Sequence, residues 1–214
     1  MLILSRPLWV AQTNTYVIAR EKGGPAVVID APPDDDAIGR LLNEHDLAPV
    51  ALLLTHGHID HMGGAGPFQR RSGAAVHVHP EDDYLTLEPA RQLQGLFGTS
   101  PPGDWAPPEI RIDLIDAEVL SLAGFALEVR HTPGHTPGHC CFYLEAQETL
   151  FSGDQLFARS VGRTDLPGGD WETLLSSMKS RVLDLPDGTQ VLPGHGPQTT
   201  IGAERRHNPF LQGI

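Results

Sequence analysis

Cysteine is nearly absent: the 214 residues hold two, Cys140 and Cys141, side by side. Neighbouring Cα atoms lie about 3.8 Å apart across a trans peptide, short of the roughly 4.4–6.8 Å of ordinary disulfides. The pair offers neither a staple nor a thiolate cage, and reads as two small residues pointing to opposite faces of a strand. Positive charge is scarce as well. Fifteen Lys and Arg stand against 27 Asp and Glu, for a formal net charge of −12. A nucleic-acid partner is excluded on that balance, since such proteins carry a basic stripe that displaces counterions. No apolar run approaches the roughly 20 residues that cross a bilayer. The start, Met1-Leu2-Ile3-Leu4-Ser5-Arg6-Pro7, lacks the charged segment and long apolar stretch of a signal peptide, so a cytoplasmic protein with no membrane partner is expected. Length and 40% apolar content suit a single domain over residues 1–214.

Histidine is plentiful, with 11 residues, and its placement follows the strand pattern. Short β-branched runs at Thr15–Ala19 and Ala26–Ile29 predict strands joined by a Gly23-Gly24-Pro25 turn. Asp34-Asp35-Asp36 then caps a helix carrying Ile38, Leu41 and Leu42, acid at its positive end. Val50–Leu54 predicts a strand buried on both faces. Phe68–Arg71 ends a short helix and Ala75–His79 is a further strand; residues 81–108 read as loop with short helices. Strands are expected again at Ile110–Ile115, Phe125–Arg130, Cys140–Leu144, Thr149–Phe151 and Gln190–Leu192, with a helix over Trp171–Val182. This alternation predicts mixed α/β layers.

His56-Gly57-His58-Ile59-Asp60-His61 begins where the apolar strand ends. Residues i and i+2 of an extended segment project to one side, so His56 and His58 can converge. Three imidazoles and a carboxylate suit zinc, iron or manganese. Further donors stand at His135 in a Pro-Gly-punctuated loop, at Asp154 after Phe151-Ser152-Gly153, and at His195 in Pro193-Gly194-His195-Gly196. These strand ends are where binding groups of α/β proteins gather. Seven donors are about the number that two metals sharing one carboxylate require. His77 and His79 alternate with valines and are expected to face outward or to sit behind the donors. His131 and His139 bracket the His135 loop and are candidates to orient it.

H56-G-H58-I-D60-H61, H135-T-P-G, S-G-D154 and P-G-H195-G, in this order, resemble the metallo-β-lactamase superfamily. Gly162–Asp170 (GRTDLPGGD) and Glu204–Phe210 (ERRHNPF) are similar to its short bacterial glyoxalase II type. The resemblance implies a four-layer αββα sandwich and hydrolysis of S-2-hydroxyacylglutathione thioesters. It implies that His56, His58 and His135 bind one divalent ion, that Asp60, His61 and His195 bind a second, and that Asp154 bridges them. Zn(2+) is the expected metal, with Fe or Mn as substitutes. A hydroxide bridging the ions would attack the thioester carbonyl, with Asp60 and Asp154 supplying charge and geometry. The thiolate leaves without obligatory protonation.

The substrate expectation has two particular features. The extra helical domain of full-length glyoxalase II is not expected in the roughly 20 residues after His195. Arg163 and Asp165 stand where that family has lysine and tyrosine. Arg163 can grip a substrate carboxylate or pair with Asp165 or Asp170. The alternative within the same superfamily is a persulfide dioxygenase with one iron on His56, His135 and Asp154. Its last motif usually reads A-H-D, whereas this chain has Gly194-His195-Gly196.

Overall fold

Ala26–Ile29 and Ala51–Leu53 are apolar on both faces, and in the computed structural model, which describes residues 1–213, all seven are buried in the middle of a sheet. The chain divides into two compact units, Met1–Asp113 with Leu122–Gly124, and Leu114–Ser121 with Phe125 onward.

The first unit carries six strands, β1 (Leu2–Leu8), β2 (Thr13–Ala19), β3 (Pro25–Ile29), β4 (Ala48–Leu53), β5 (Ala75–Val78) and β6 (Arg111–Asp113), hydrogen-bonded in that order. β1, β2 and β3 pair antiparallel, and β3 through β6 pair parallel. The helices α1 (Asp35–Glu44), α2 (Ile59–Met62), α3 (Ala65–Ser72), α4 (Asp83–Thr86) and α5 (Pro89–Phe97) lie between or after these strands. α1 starts because the Asp34 carboxylate accepts the Ala37 N–H at 3.2 Å, an N-cap worth about 1 kcal/mol. It buries Ala37, Ile38, Leu41 and Leu42 along one face, in a core with Val28, Leu52, Phe68 and Val76. Truncating Ile38 there would cost roughly 2–5 kcal/mol.

The second unit carries β7 (Val119–Leu122), β8 (Phe125–His131), β9 (Cys140–Leu144), β10 (Thr149–Gly153), β11 (Leu156–Phe157), β12 (Ser160–Val161), β13 (Gln190–Pro193) and β14 (Thr199–Thr200). Its main sheet runs β14-β13-β10-β9-β8-β7, and β11 and β12 form a small hairpin. β9 and β10 are buried at every residue, and β10 pairs parallel with β13. α6 (Trp171–Ser177) continues as a π-helical turn over Met178–Val182, and α7 (Ile201–His207) follows β14. Leu174, Met178, Val182, Val191 and Ile201 share this unit's core.

Two six-stranded sheets with their own helices realise the expected mixed α/β architecture. β7, the β11–β12 hairpin, β14 and α7 lie outside the elements that periodicity predicts. α7 has only Ile201 and Ala203 as apolar residues. It forms because the Thr200 hydroxyl caps Ala203 N–H at 3.2 Å and Glu204 is buried against partners. His77 and His79 do not face outward: both are buried. Cys140 and Cys141 are free, buried thiols. Among the described residues, no helix is long and apolar enough to cross a membrane.

Candidate metal centre

In the first unit the donor segment leaves the carboxyl end of β4, between two parallel neighbours, where the sheet fixes its exit. The segment is clamped through its backbone. Gly57 N–H donates to Asp82 Oδ2 at 2.7 Å, Ile59 N–H to Gln92 Oε1 at 3.0 Å, and Gln92 Nε2 to Gly57 O at 2.9 Å. Position 57 has to be glycine, because a Cβ would lie 2.9 Å from Leu85 Cβ and 3.0 Å from Asp82 Cβ.

Four predicted donors come together here. His56 and His58 each present a ligand atom within 4.8 Å of the other, as do His56 and His61, and Asp60 and His61. His56 and His61 are fully buried, His58 and Asp60 partly so. Asp30, at the end of β3, organises them. Its Oδ1 accepts Thr55 N–H at 2.8 Å, and its Oδ2 accepts the Thr55 hydroxyl at 2.8 Å and faces His61 Nδ1 at 2.8 Å. With its proton committed to Asp30, Thr55 Oγ1 is the acceptor for His56 Nδ1 at 3.0 Å. Both rings therefore carry their proton on Nδ1 and present the Nε2 lone pair, the state a metal requires. The Thr13 hydroxyl donates to Asp60 Oδ2 at 3.1 Å, and His61 Nε2 lies 3.5 Å from that same oxygen.

In the second unit the remaining three donors converge. β10 and β13 run parallel with Gly153 opposite Pro193, and Gly194 N–H donates to Gly153 O at 2.8 Å, so Asp154 and His195 follow adjacent strand ends. His135 Nδ1 donates to Arg163 O at 2.7 Å, which again leaves Nε2 as the donor atom. His135 Nε2 and His195 Nε2 each lie 3.6 Å from Asp154 Oδ2. Two ligands at about 2.05 Å on a tetrahedral ion stand roughly 3.3 Å apart, so each histidine is spaced to share an ion with Asp154. Gly162 permits the arrangement: a Cβ there would sit 1.9 Å from Asp154 O and 3.2 Å from His135 Nδ1. Imidazole nitrogens and carboxylate oxygens with their far sides already bonded are a donor set for borderline divalent ions.

Arg163 makes a bidentate pair with Asp165, Nε to Oδ1 at 2.6 Å and Nη2 to Oδ2 at 2.7 Å. Both side chains are about two-thirds exposed. Hydrogen bonding from Arg163 holds the Asp165 carboxyl down at about 2. Asp30, Thr13, Asp82 and Gln92 were not singled out by the donor pattern. Asp30 alone had a legible signal, a carboxylate directly after a buried strand, the same signal that marks Asp154.

A family model described as the Metallo-beta-lactamase superfamily matches residues 8–195. The hydroxyacylglutathione hydrolase GloC of Haemophilus influenzae is 40% identical over 96% of this chain and 95% of its own. Among solved structures, the BLEG-1 B3 metallo-beta-lactamase aligns with a TM-score of 0.91 at 38% identity, covering 99% of this chain and 100% of that one. TTHA1623 in a di-iron-bound form aligns at 0.85 with 38% identity and the same coverage. The model match spans all seven donors and the structural likeness spans nearly the whole chain: it belongs to the metallo-beta-lactamase superfamily.

Proposed function

We propose that this protein is a hydrolase of glutathione-type thioesters, with S-2-hydroxyacylglutathione as the substrate class. It would hold two divalent ions, zinc by preference. His56, His58 and His135 would bind one ion, Asp60, His61 and His195 the other, and Asp154 both. The observation that carries the reading is the donor set itself: seven His and Asp side chains, with His56, His61 and His135 each held through Nδ1 so that Nε2 is presented. Bound there, divalent ions supply a Lewis acid for the thioester carbonyl and lower the pKa of water.

The chain's own groups account for the rest. Asp60 and Asp154 bring anionic oxygens that offset the ions' charge, and Thr13 holds Asp60 from behind. A thiolate leaves without a proton, so imidazoles and carboxylates suffice with no separate acid. Arg163 would take a substrate carboxylate in exchange for Asp165. Ion pairs this exposed contribute little to stability, so the exchange costs little. The reading treats residues 1–214 as one functional domain. It places the activity in the cytoplasm, where glutathione keeps thiols such as Cys140 and Cys141 reduced.

GloC supports the thioester substrate through its 40% identity; BLEG-1 and TTHA1623 make β-lactams and iron the competitors to test. The deciding experiment measures metal content of purified protein beside three assays: S-lactoylglutathione hydrolysis, β-lactam hydrolysis, and oxygen uptake with glutathione persulfide. Two ions per chain with thioester cleavage is the expected result. One iron with persulfide-dependent oxygen uptake would establish the dioxygenase instead.

A further inference from the structure

The turn Ser152-Gly153-Asp154 departs from the regular ladder of its strand, keeping the Gln155 N–H to Ser152 O bond at 3.0 Å and the Gly194 N–H to Gly153 O bond at 2.8 Å. The β10–β13 register shifts between Phe151 and Gly153, and Gly153 adopts φ +48°. Such an irregularity re-aims the side chain that follows but interrupts the ladder that would fix it.

A circuit of buried side chains closes behind this turn. The backbone N–H of Asp154 donates to His139 Nε2 at 3.1 Å. A backbone N–H only donates, so Nε2 is the acceptor and the neutral ring has its proton on Nδ1. That proton goes to Thr132 Oγ1 at 2.8 Å. The Thr132 hydroxyl stands 3.4 Å from Cys141 Sγ and 3.5 Å from His139 O, and the Cys141 thiol donates to Ser152 O at 3.4 Å. Thr132, His139, Cys141 and Ser152 are fully buried. The circuit thus starts at the amide of Asp154 and returns to the carbonyl two residues earlier.

We propose that His139, Thr132 and Cys141 form a positioning relay that fixes the Ser152–Asp154 turn and thereby aims the Asp154 carboxylate for metal binding. This rests on the metal assignment above but not on the thioester substrate. It gives His139 and Cys141 a task that the donor set does not. Burial pushes the Cys141 thiol up to about 12, so its S–H remains a donor at working pH. Linked hydrogen bonds in a dry interior polarise one another, so breaking one link weakens the others.

Zn(2+) alone, titrated into metal-free protein against a chromophoric chelator, tests the relay. Thr132→Val keeps the side-chain shape and removes the hydroxyl; affinity should fall about 10–100-fold, the usual loss when a group supporting a ligand is removed. Thr132→Ser should restore it. The double variant Thr132→Val with His139→Leu should lose no more than the larger single loss, because both cut one circuit. Near-UV circular dichroism of the metal-free variants separates this from unfolding. If the valine variant does not fold, Cys141→Ala takes its place with the same expected loss. Wild-type zinc affinity in a folded Thr132→Val or Cys141→Ala variant overturns the relay, as does equal weakening by Val and Ser. Absence of zinc binding by the unaltered protein overturns the metal centre as well, which distinguishes the two failures.

Discussion

Asp30→Asn probes the device that sets the His61 tautomer with almost no change of shape. Asp30 sits at φ +59°, a backbone region that Asn tolerates as readily as Asp, so the substitution adds no strain. The carboxylate serves three donors: Thr55 N–H, the Thr55 hydroxyl and His61 Nδ1. An amide offers one acceptor oxygen and sets an NH2 against the remaining partner. With that oxygen toward Thr55 N–H, the NH2 meets His61 Nδ1. Either the imidazole N–H is stranded, or the ring moves its proton to Nε2 and loses the lone pair it would offer a metal. With the amide reversed, buried Thr55 N–H is stranded instead. Each outcome forfeits a bond to a charged group, worth about 1.5–3 kcal/mol. At roughly 2–4 °C per kcal/mol for a chain this long, Tm of the metal-free protein should drop by about 3–12 °C. Zinc affinity should fall about 10–100-fold on top of that loss. Calorimetry of the metal-free protein and a chelator competition read the two effects separately. A variant matching the wild type in both would refute the claim that Asp30 sets the ring.

Gly162→Ala puts a methyl 1.9 Å from Asp154 O, so the Asp154 and Gly162 backbones must separate; metal content after purification should fall sharply with kcat following it. Ellman's reagent should find no reactive thiol in the native protein and both cysteines after denaturation, since Cys140 and Cys141 are fully buried. The Asp165 carboxyl is held down at about 2 by Arg163, so the pair persists above the ordinary carboxylate range and is lost as pH falls through about 2. Arg163→Gln should return its NMR titration midpoint toward about 3.9 and leave Tm unchanged. The same variant should raise KM for carboxylate-bearing thioesters while kcat holds.

The central elements were legible because their signals are local. Ala26–Ile29, Ala51–Leu53 and Cys140–Leu144 are apolar on both faces and could only be interior strands. α1 announced itself by the acid run before Ile38 and Leu41, and the donors by their positions just after such strands. β7, β14 and α7 were not legible, being short and depending on side-chain partners that local periodicity does not contain. Glu204, in α7, accepts from Thr199 Oγ1 at 2.6 Å, from Asn208 Nδ2 at 2.9 Å and from Arg159 N–H at 2.8 Å. Only Thr199 and Asn208 are near neighbours in sequence. For His77 and His79 burial removes the outward alternative and leaves the one behind the donors, a choice that period-two alternation does not make because it reports two faces, not which of them is covered.

By itself, the sequence marked the candidate chemistry: seven His and Asp side chains of metal-ligand type, only two cysteines, and strand ends to carry the candidates. Ligand type and strand periodicity are properties of consecutive residues, so a linear reading reaches them. Tertiary structure decided how those donors are held. Asp30 reaches His61 across 31 positions, Arg163 O reaches His135 across 28, and His139 reaches Asp154 N–H across 15. Hydrogen bonds of this range form only once the sheet has fixed both ends, because no local pattern specifies a partner that the chain must fold to meet.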